Sequence, residues 1–139
     1  SAGRAGLRLI VLDASAALEL LLNTEAGQLV SDRIEDELES LHVPHLLTAE
    51  VAQVLRRYVA TGILDPERAR SALEDLLDLD AARYGHEELL PRAWELRANL
   101  TIYDALYVAL AETLSATLLT FDRKLAAAPG HSARVEVPT

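Results

Sequence analysis

Across Ile102-Tyr103-Asp104-Ala105-Leu106-Tyr107-Val108-Ala109-Leu110-Ala111, nine of ten residues are apolar or aromatic, and the exception is a carboxylate. A helix of that composition is hydrophobic nearly all round and belongs inside a layered molecule. The run Leu9-Ile10-Val11-Leu12 makes a matching demand, being short, apolar and partly β-branched like a strand covered on both faces. Strands alternating with helices along the chain then predict an α/β sandwich, a mainly parallel sheet flanked by helices. With 139 residues, half of them hydrophobic, the chain suits one compact domain over 8–139. Residues 1–7 are small and lack an apolar core, which predicts a flexible, added or processed end.

The remaining elements follow from caps and periodicity. Ser15 is placed as the cap of a helix reaching Leu22, and a more polar helix is expected over about residues 25–39. Its acidic run, Asp32, Glu35, Asp36, Glu37 and Glu39, reads as a solvated face. Leu41-His42-Val43 is a short strand ended by Pro44, and Thr48 is read as the next cap. Val51, Val54, Leu55, Tyr58 and Val59 then form one buried stripe that stops at Gly62. Asp65-Pro66-Glu67 starts a helix to about Leu77. A strand is expected over 80–84, helices over 87–97 and 102–114, and strands over 117–121 and 135–137.

Four acids stand out against this frame. Asp13 and Asp122 each follow a buried-looking strand, where open α/β sheets place their functional crevice. The plainer account makes each a helix cap or turn former. Asp104 interrupts the apolar helix, where a carboxylate is expensive unless paired, hydrogen-bonded or bound to a cation. Alternatively, Thr101 caps that helix and Asp104 is a first-turn acid favoured by the dipole. Glu50, two residues after Thr48, is by itself an ordinary first-turn glutamate.

If the four converge, their repulsion calls for a strong local cation. An all-oxygen set selects Mg²⁺ or Mn²⁺, which suits phosphodiester hydrolysis. The net charge of -9 excludes a globally basic nucleic-acid wrapper, but a metal inverts the sign locally. Arg56, Arg57, Arg97, Arg123 and Lys124 lie near the acids in sequence and are candidate phosphate contacts, or else solvated helix-end residues.

Other chemistries lack their residues. There is no cysteine, which excludes thiol nucleophiles and cysteine zinc sites and leans towards a cytoplasmic location. No apolar stretch is long enough for a membrane span, and no nucleophile-elbow, P-loop or dinucleotide motif is present. Pro44 separates His42 from His45 and no third ligand accompanies them, which argues against zinc. An Asp-nucleophile phosphohydrolase is a weaker alternative: Ser15 stands where its second acid is expected, and no lysine directly follows a later strand. A non-catalytic RNA- or protein-binding module is the other alternative. Trp94 and Tyr58 are expected as core or dimer contacts, and Tyr103 and Tyr107 as walls of an acidic site.

The segments IVLDASA, TAEVAQVLRR, TIYDALYVALAE and LLTFDRKL, in this order and spacing, resemble the PIN domain, and the layout resembles VapC toxins of bacterial toxin-antitoxin pairs. The resemblance spans about residues 9–137. It implies a Mg²⁺- or Mn²⁺-dependent endoribonuclease acting on tRNA or ribosomal RNA, assembled as a homodimer and inhibited by a VapB-like antitoxin. The family's metal-binding and catalytic acids fall on Asp13, Glu50, Asp104 and Asp122, with Ser15 and Thr120 as supporting hydroxyls.

Overall fold

The computed structural model describes residues 8–35 and 39–139, so the end at 1–7 and the acidic positions Asp36 and Glu37 lie outside the described residues. In chain order the elements are β1 (Arg8–Leu12), α1 (Ala14–Leu22), α2 (Glu25–Glu35), β2 (Glu39–Pro44), α3 (Leu46–Ala60), α4 (Pro66–Asp78) and β3 (Ala81–Tyr84). Next come α5 (Leu90–Glu95), α6 (Ile102–Leu114), β4 (Thr117–Leu119), α7 (Arg123–Ala127) and β5 (Arg134–Glu136).

The strands form one sheet in the order β3-β2-β1-β4-β5, and every pairing is parallel. β1 is central, with Ile10, Val11 and Leu12 buried, as a two-sided strand requires. The chain steps from β1 to β2 to β3 in one direction, then crosses back over β1 to reach β4 and β5. Right-handed crossovers therefore place α1 to α4 on one face and α5 to α7 on the other. In agreement, α6 packs on β1, β2 and β4, and its seven residues Ala105, Leu106, Tyr107, Val108, Ala109, Leu110 and Ala111 are all buried. The strand order reverses between β1 and β4, so the crevice at their carboxyl ends is the switch point of the sheet. Leu12 pairs with Leu119, which sets those two ends level.

Several boundaries depart from the sequence expectation. α1 is capped by Asp13, whose side chain accepts from the Ala16 amide, so Ser15 is a first-turn residue and not the cap. α2 is described to Glu35 and does not reach 39, because the backbone of Glu39 is already paired with Arg8 at the start of β2. α3 begins at Leu46, whose amide donates to His86 Nε2 at 2.9 Å, so Thr48 lies inside the helix and Glu50 on its second turn. Asp65 stands at the cap of α4 but makes no side-chain capping bond. α5 is shorter than 87–97, since the amides of Leu96, Arg97 and Asn99 bond three residues back in tight turns. β4 ends at Leu119 because the Phe121 and Asp122 amides turn to side-chain hydroxyls.

Trp94 is not a core residue: it is 59% exposed, with the Arg97 guanidinium 4.6 Å from its ring centre, because Ala93 and Leu96 supply the buried side of α5. Tyr58 is half-buried against the core, as its stripe predicts. Gly27 marks a close approach of α2 to α1, since an added Cβ would lie 2.0 Å from the Glu19 carbonyl oxygen of α1.

On the far side from the switch point, Arg92 of α5 grips Glu112 of α6 through two bonds of 2.8 and 3.0 Å, and the Ser132 amide adds a third at 2.9 Å. These bonds, led by Arg92, hold the Glu112 carboxyl down at about 2. Because the folded value is depressed, the stabilisation is present above the unfolded carboxylate value of about 4.3 and is lost as pH falls towards about 2. Glu112→Gln is therefore expected to lower the melting temperature by a few degrees at neutral pH. The difference from the parent should shrink in melts run at progressively lower pH through that window.

Candidate active site

Asp13 follows β1 directly and is 6% exposed, a buried carboxylate that needs bonds to survive. Ser15 Oγ donates to its Oδ1 at 2.6 Å, the Ala16 amide donates to the same oxygen at 2.9 Å, and Thr120 Oγ1 donates to Oδ2. Each hydroxyl also accepts: Ser15 Oγ from the Phe121 amide and Thr120 Oγ1 from the Asp122 amide, both at 2.9 Å. An ionised carboxylate offers about four lone-pair positions, so three filled ones leave roughly one for an outside ligand. Both residues that were expected only as supporting hydroxyls thus hold Asp13 and stitch it to the β4–α7 connection.

Asp122 caps α7, accepting from the Lys124 and Leu125 amides at 2.9 and 3.4 Å. The plainer account of Asp13 and Asp122 as caps is therefore correct locally, and both also face other acids. Asp104 sits in the first turn of α6, behind the Thr101 cap whose hydroxyl accepts from its amide at 3.1 Å. Glu50 projects from α3 and accepts from the Tyr107 hydroxyl of α6 at 2.6 Å.

The four acids feel one another. Burial is the main force raising the Asp13 carboxyl, opposed by its hydrogen bonds and reinforced by the Asp122 charge. Glu50 is raised first by burial, against the Tyr107 bond, and then by Asp104 and Asp13. Asp104 is raised by burial and by Asp122 and Asp13. Burial and the bond to Glu50 push the Tyr107 hydroxyl far above its ordinary range. No basic group is among those acting on Asp13, Glu50 or Asp104. Among the described residues no three His, Asp or Glu side chains close into a ready-made metal cage, so the acids form an open constellation.

Of the five basic candidates, Arg123 and Lys124 are exposed in the first turn of α7, immediately after Asp122. Arg56 and Arg57 are exposed on α3, Arg57 lying 6.0 Å from the Tyr58 ring centre, and Arg97 is stacked on Trp94. Tyr107 is in the site as a hydrogen-bond donor, whereas Tyr103 is 61% exposed and presents its ring to solvent. The donor role of Tyr107 was not legible beforehand; its place one turn after Asp104 was the available signal.

The sequence pattern of the PIN domain matches residues 10–130. The chain belongs to the PIN-domain family. It is 44% identical over 128 residues to Ribonuclease VapC1 of Mycobacterium tuberculosis, covering 91% of this chain and 96% of that protein. Ribonuclease VapC9 of the same organism is 47% identical over 118 residues, covering 84% and 88% respectively. Among solved structures, VapBC2 from Rickettsia felis, bound to a DNA fragment from its promoter, superposes with a TM-score of 0.70 at 15% identity. That match covers 94% of this PIN-domain chain and 99% of the other, and establishes likeness of fold.

Because the folded carboxyls of Asp13, Glu50 and Asp104 are raised, the protein loses stability as pH climbs through their range and regains it as they protonate. Asp104→Asn removes one charge from this set. In EDTA at pH 7 the variant is expected to melt higher than the parent by about 2–4 °C, with the gain fading at pH 4 and below. An unchanged or lower melting temperature would contradict the electrostatic account of the site.

Proposed function

We propose that this PIN domain is a metal-dependent endoribonuclease of the VapC type, cleaving phosphodiester bonds of tRNA or ribosomal RNA and neutralised by a VapB-like antitoxin. The observation that carries the proposal is charge without compensation: four carboxylates are near enough for their charges to act on one another, and no basic group is among those acting on Asp13, Glu50 or Asp104. Relatives named as VapC ribonucleases match nearly end to end, which supports RNA as the substrate. VapBC complexes of like fold, including one from Salmonella typhimurium, support a paired antitoxin.

The donor set fits Mg²⁺ or Mn²⁺. All candidate ligands are oxygens, and Mg²⁺ keeps several waters and uses only one or two carboxylates besides substrate phosphate, so an open constellation suits it. Asp13, Asp104, Asp122 and Glu50 are the acids that would hold the ion, one or two of them directly and the others through its waters. When bound, it supplies a water of lowered pKa and neutralises charge that builds on the phosphate. Ser15 and Thr120 fix the Asp13 carboxylate in one orientation, and Tyr107 does the same for Glu50. Arg123 and Lys124, next to Asp122, are the best placed of the basic residues to hold the RNA backbone; Arg56, Arg57 and Arg97 would extend that contact. A cytoplasmic homodimer completes the proposed assembly, for which the exposed Ile63, Leu77 and Trp94 offer apolar surface.

The test is incubation of total host RNA with the purified, antitoxin-free protein in Mg²⁺, Mn²⁺ or EDTA, beside Asp13→Asn. Discrete fragments that require the metal and vanish in the variant are the expected result. A folded parent that cleaves nothing under any metal would overturn the enzymatic proposal and favour a binding module. In that case Asp104→Asn would, like the parent, cleave nothing, and its effect would fall on RNA or antitoxin binding. For the nuclease, Asp104→Asn loses cleavage and keeps antitoxin binding.

A further inference from the structure

Tyr107 is the bulkiest of the fully buried side chains, in a helix whose other buried residues are aliphatic. Phenylalanine would fill that space equally well, so packing explains the ring and not the hydroxyl. A buried phenol needs a partner, and this one finds Glu50 of α3, from the opposite helical layer. At 2.6 Å the contact has the length of a bond to an ionised acceptor. Asp104 lies one turn earlier on the same face of α6, so that helix supplies both an acid of the site and the group that restrains another.

We propose that Tyr107 is a positioning residue that pins Oε1 of Glu50, leaves Oε2 as the oxygen available to a cation, and thereby favours Mg²⁺ and Mn²⁺ over Ca²⁺. The proposal rests on the divalent-ion reading above. Ca²⁺ takes six to eight oxygens in flexible geometry and readily uses both oxygens of one carboxylate, whereas Mg²⁺ demands a compact octahedron completed by water. Asp13 is restricted in the same sense, with three donors already on its two oxygens. With about one lone-pair position left on Asp13 and the phenol already on Oε1 of Glu50, neither carboxylate is well placed to give both of its oxygens to one ion, as Ca²⁺ prefers. Removing the phenol hydroxyl returns Oε1 to the site and relaxes that limit.

The experiment is isothermal titration of the RNA-free protein with Mn²⁺ and with Ca²⁺, for the parent and Tyr107→Phe, alongside melting in EDTA. The substitution is expected to leave the metal-free melting temperature within a few degrees. It should weaken Mn²⁺ binding relative to Ca²⁺ by about tenfold, as loss of an outer partner of a metal ligand typically does. A Ca²⁺-to-Mn²⁺ affinity ratio unchanged within about twofold, in a variant that still binds Mn²⁺, would overturn the positioning role and leave the nuclease reading intact. A parent that binds neither ion would overturn the divalent-ion reading and this proposal with it.

Discussion

The buried Asp13 carboxylate joins segments of the chain that lie 107 residues apart, through Thr120 on one oxygen and Ser15 on the other. Leaving such a charge unbonded would cost several kcal/mol or force the group to take up a proton, so the hydroxyls support its charge as well as its orientation. Each hydroxyl passes the connection on by accepting an amide from the loop after β4. The position of Asp122, and with it the start of α7, is therefore a consequence of how Asp13 is satisfied. The level ends of β1 and β4 make this possible, since a slip of one residue would carry Thr120 away from Asp13.

The other two acids arrive from opposite layers. Glu50 belongs to α3, on the face of the sheet set by the first two crossovers, and Asp104 belongs to α6, on the face set by the third. Only above the carboxyl edge of the sheet can side chains from both layers meet. The Tyr107–Glu50 bond spans that gap directly, so the two helical layers are cross-linked at the site and not only through the core. A shift of either layer would therefore register in the geometry of the acids before it exposed much apolar surface.

How much of this was legible in the sequence depended on whether the information was local. The limits of α6 and the Thr101 cap followed from its composition and one hydroxyl, and both match the structure. The central strand announced itself by being apolar throughout. The starts of α1 and α3 differ from the sequence expectation because the deciding partners are remote: Asp13 outcompetes Ser15 as cap once Ser15 is drawn to Phe121, and His86 rather than Thr48 meets the first amide of α3. Of the two places expected for Trp94, the core is excluded for a related reason, since Ala93 and Leu96 already fill the buried side of that short segment. The four acids could be named individually, but their mutual distance depends on crossover handedness and strand order, which no window of sequence contains.

The neutral character of the restraints bears on how a chain of net charge -9 deals with a polyanion. Had arginine or lysine been used to hold Asp13 and Glu50, the site would be satisfied in isolation and would offer a cation little. Hydroxyl and phenol donors instead fix the carboxylates in place while leaving their charge almost whole. Such a site stores an electrostatic cost that any cation binding only the folded state relieves, which couples occupancy to stability. A divalent ion carrying a phosphate relieves it in one way. A basic side chain brought by a partner protein would relieve it in another. The two would then compete for one and the same charge deficit, beside which Arg123 and Lys124 stand exposed at the start of α7.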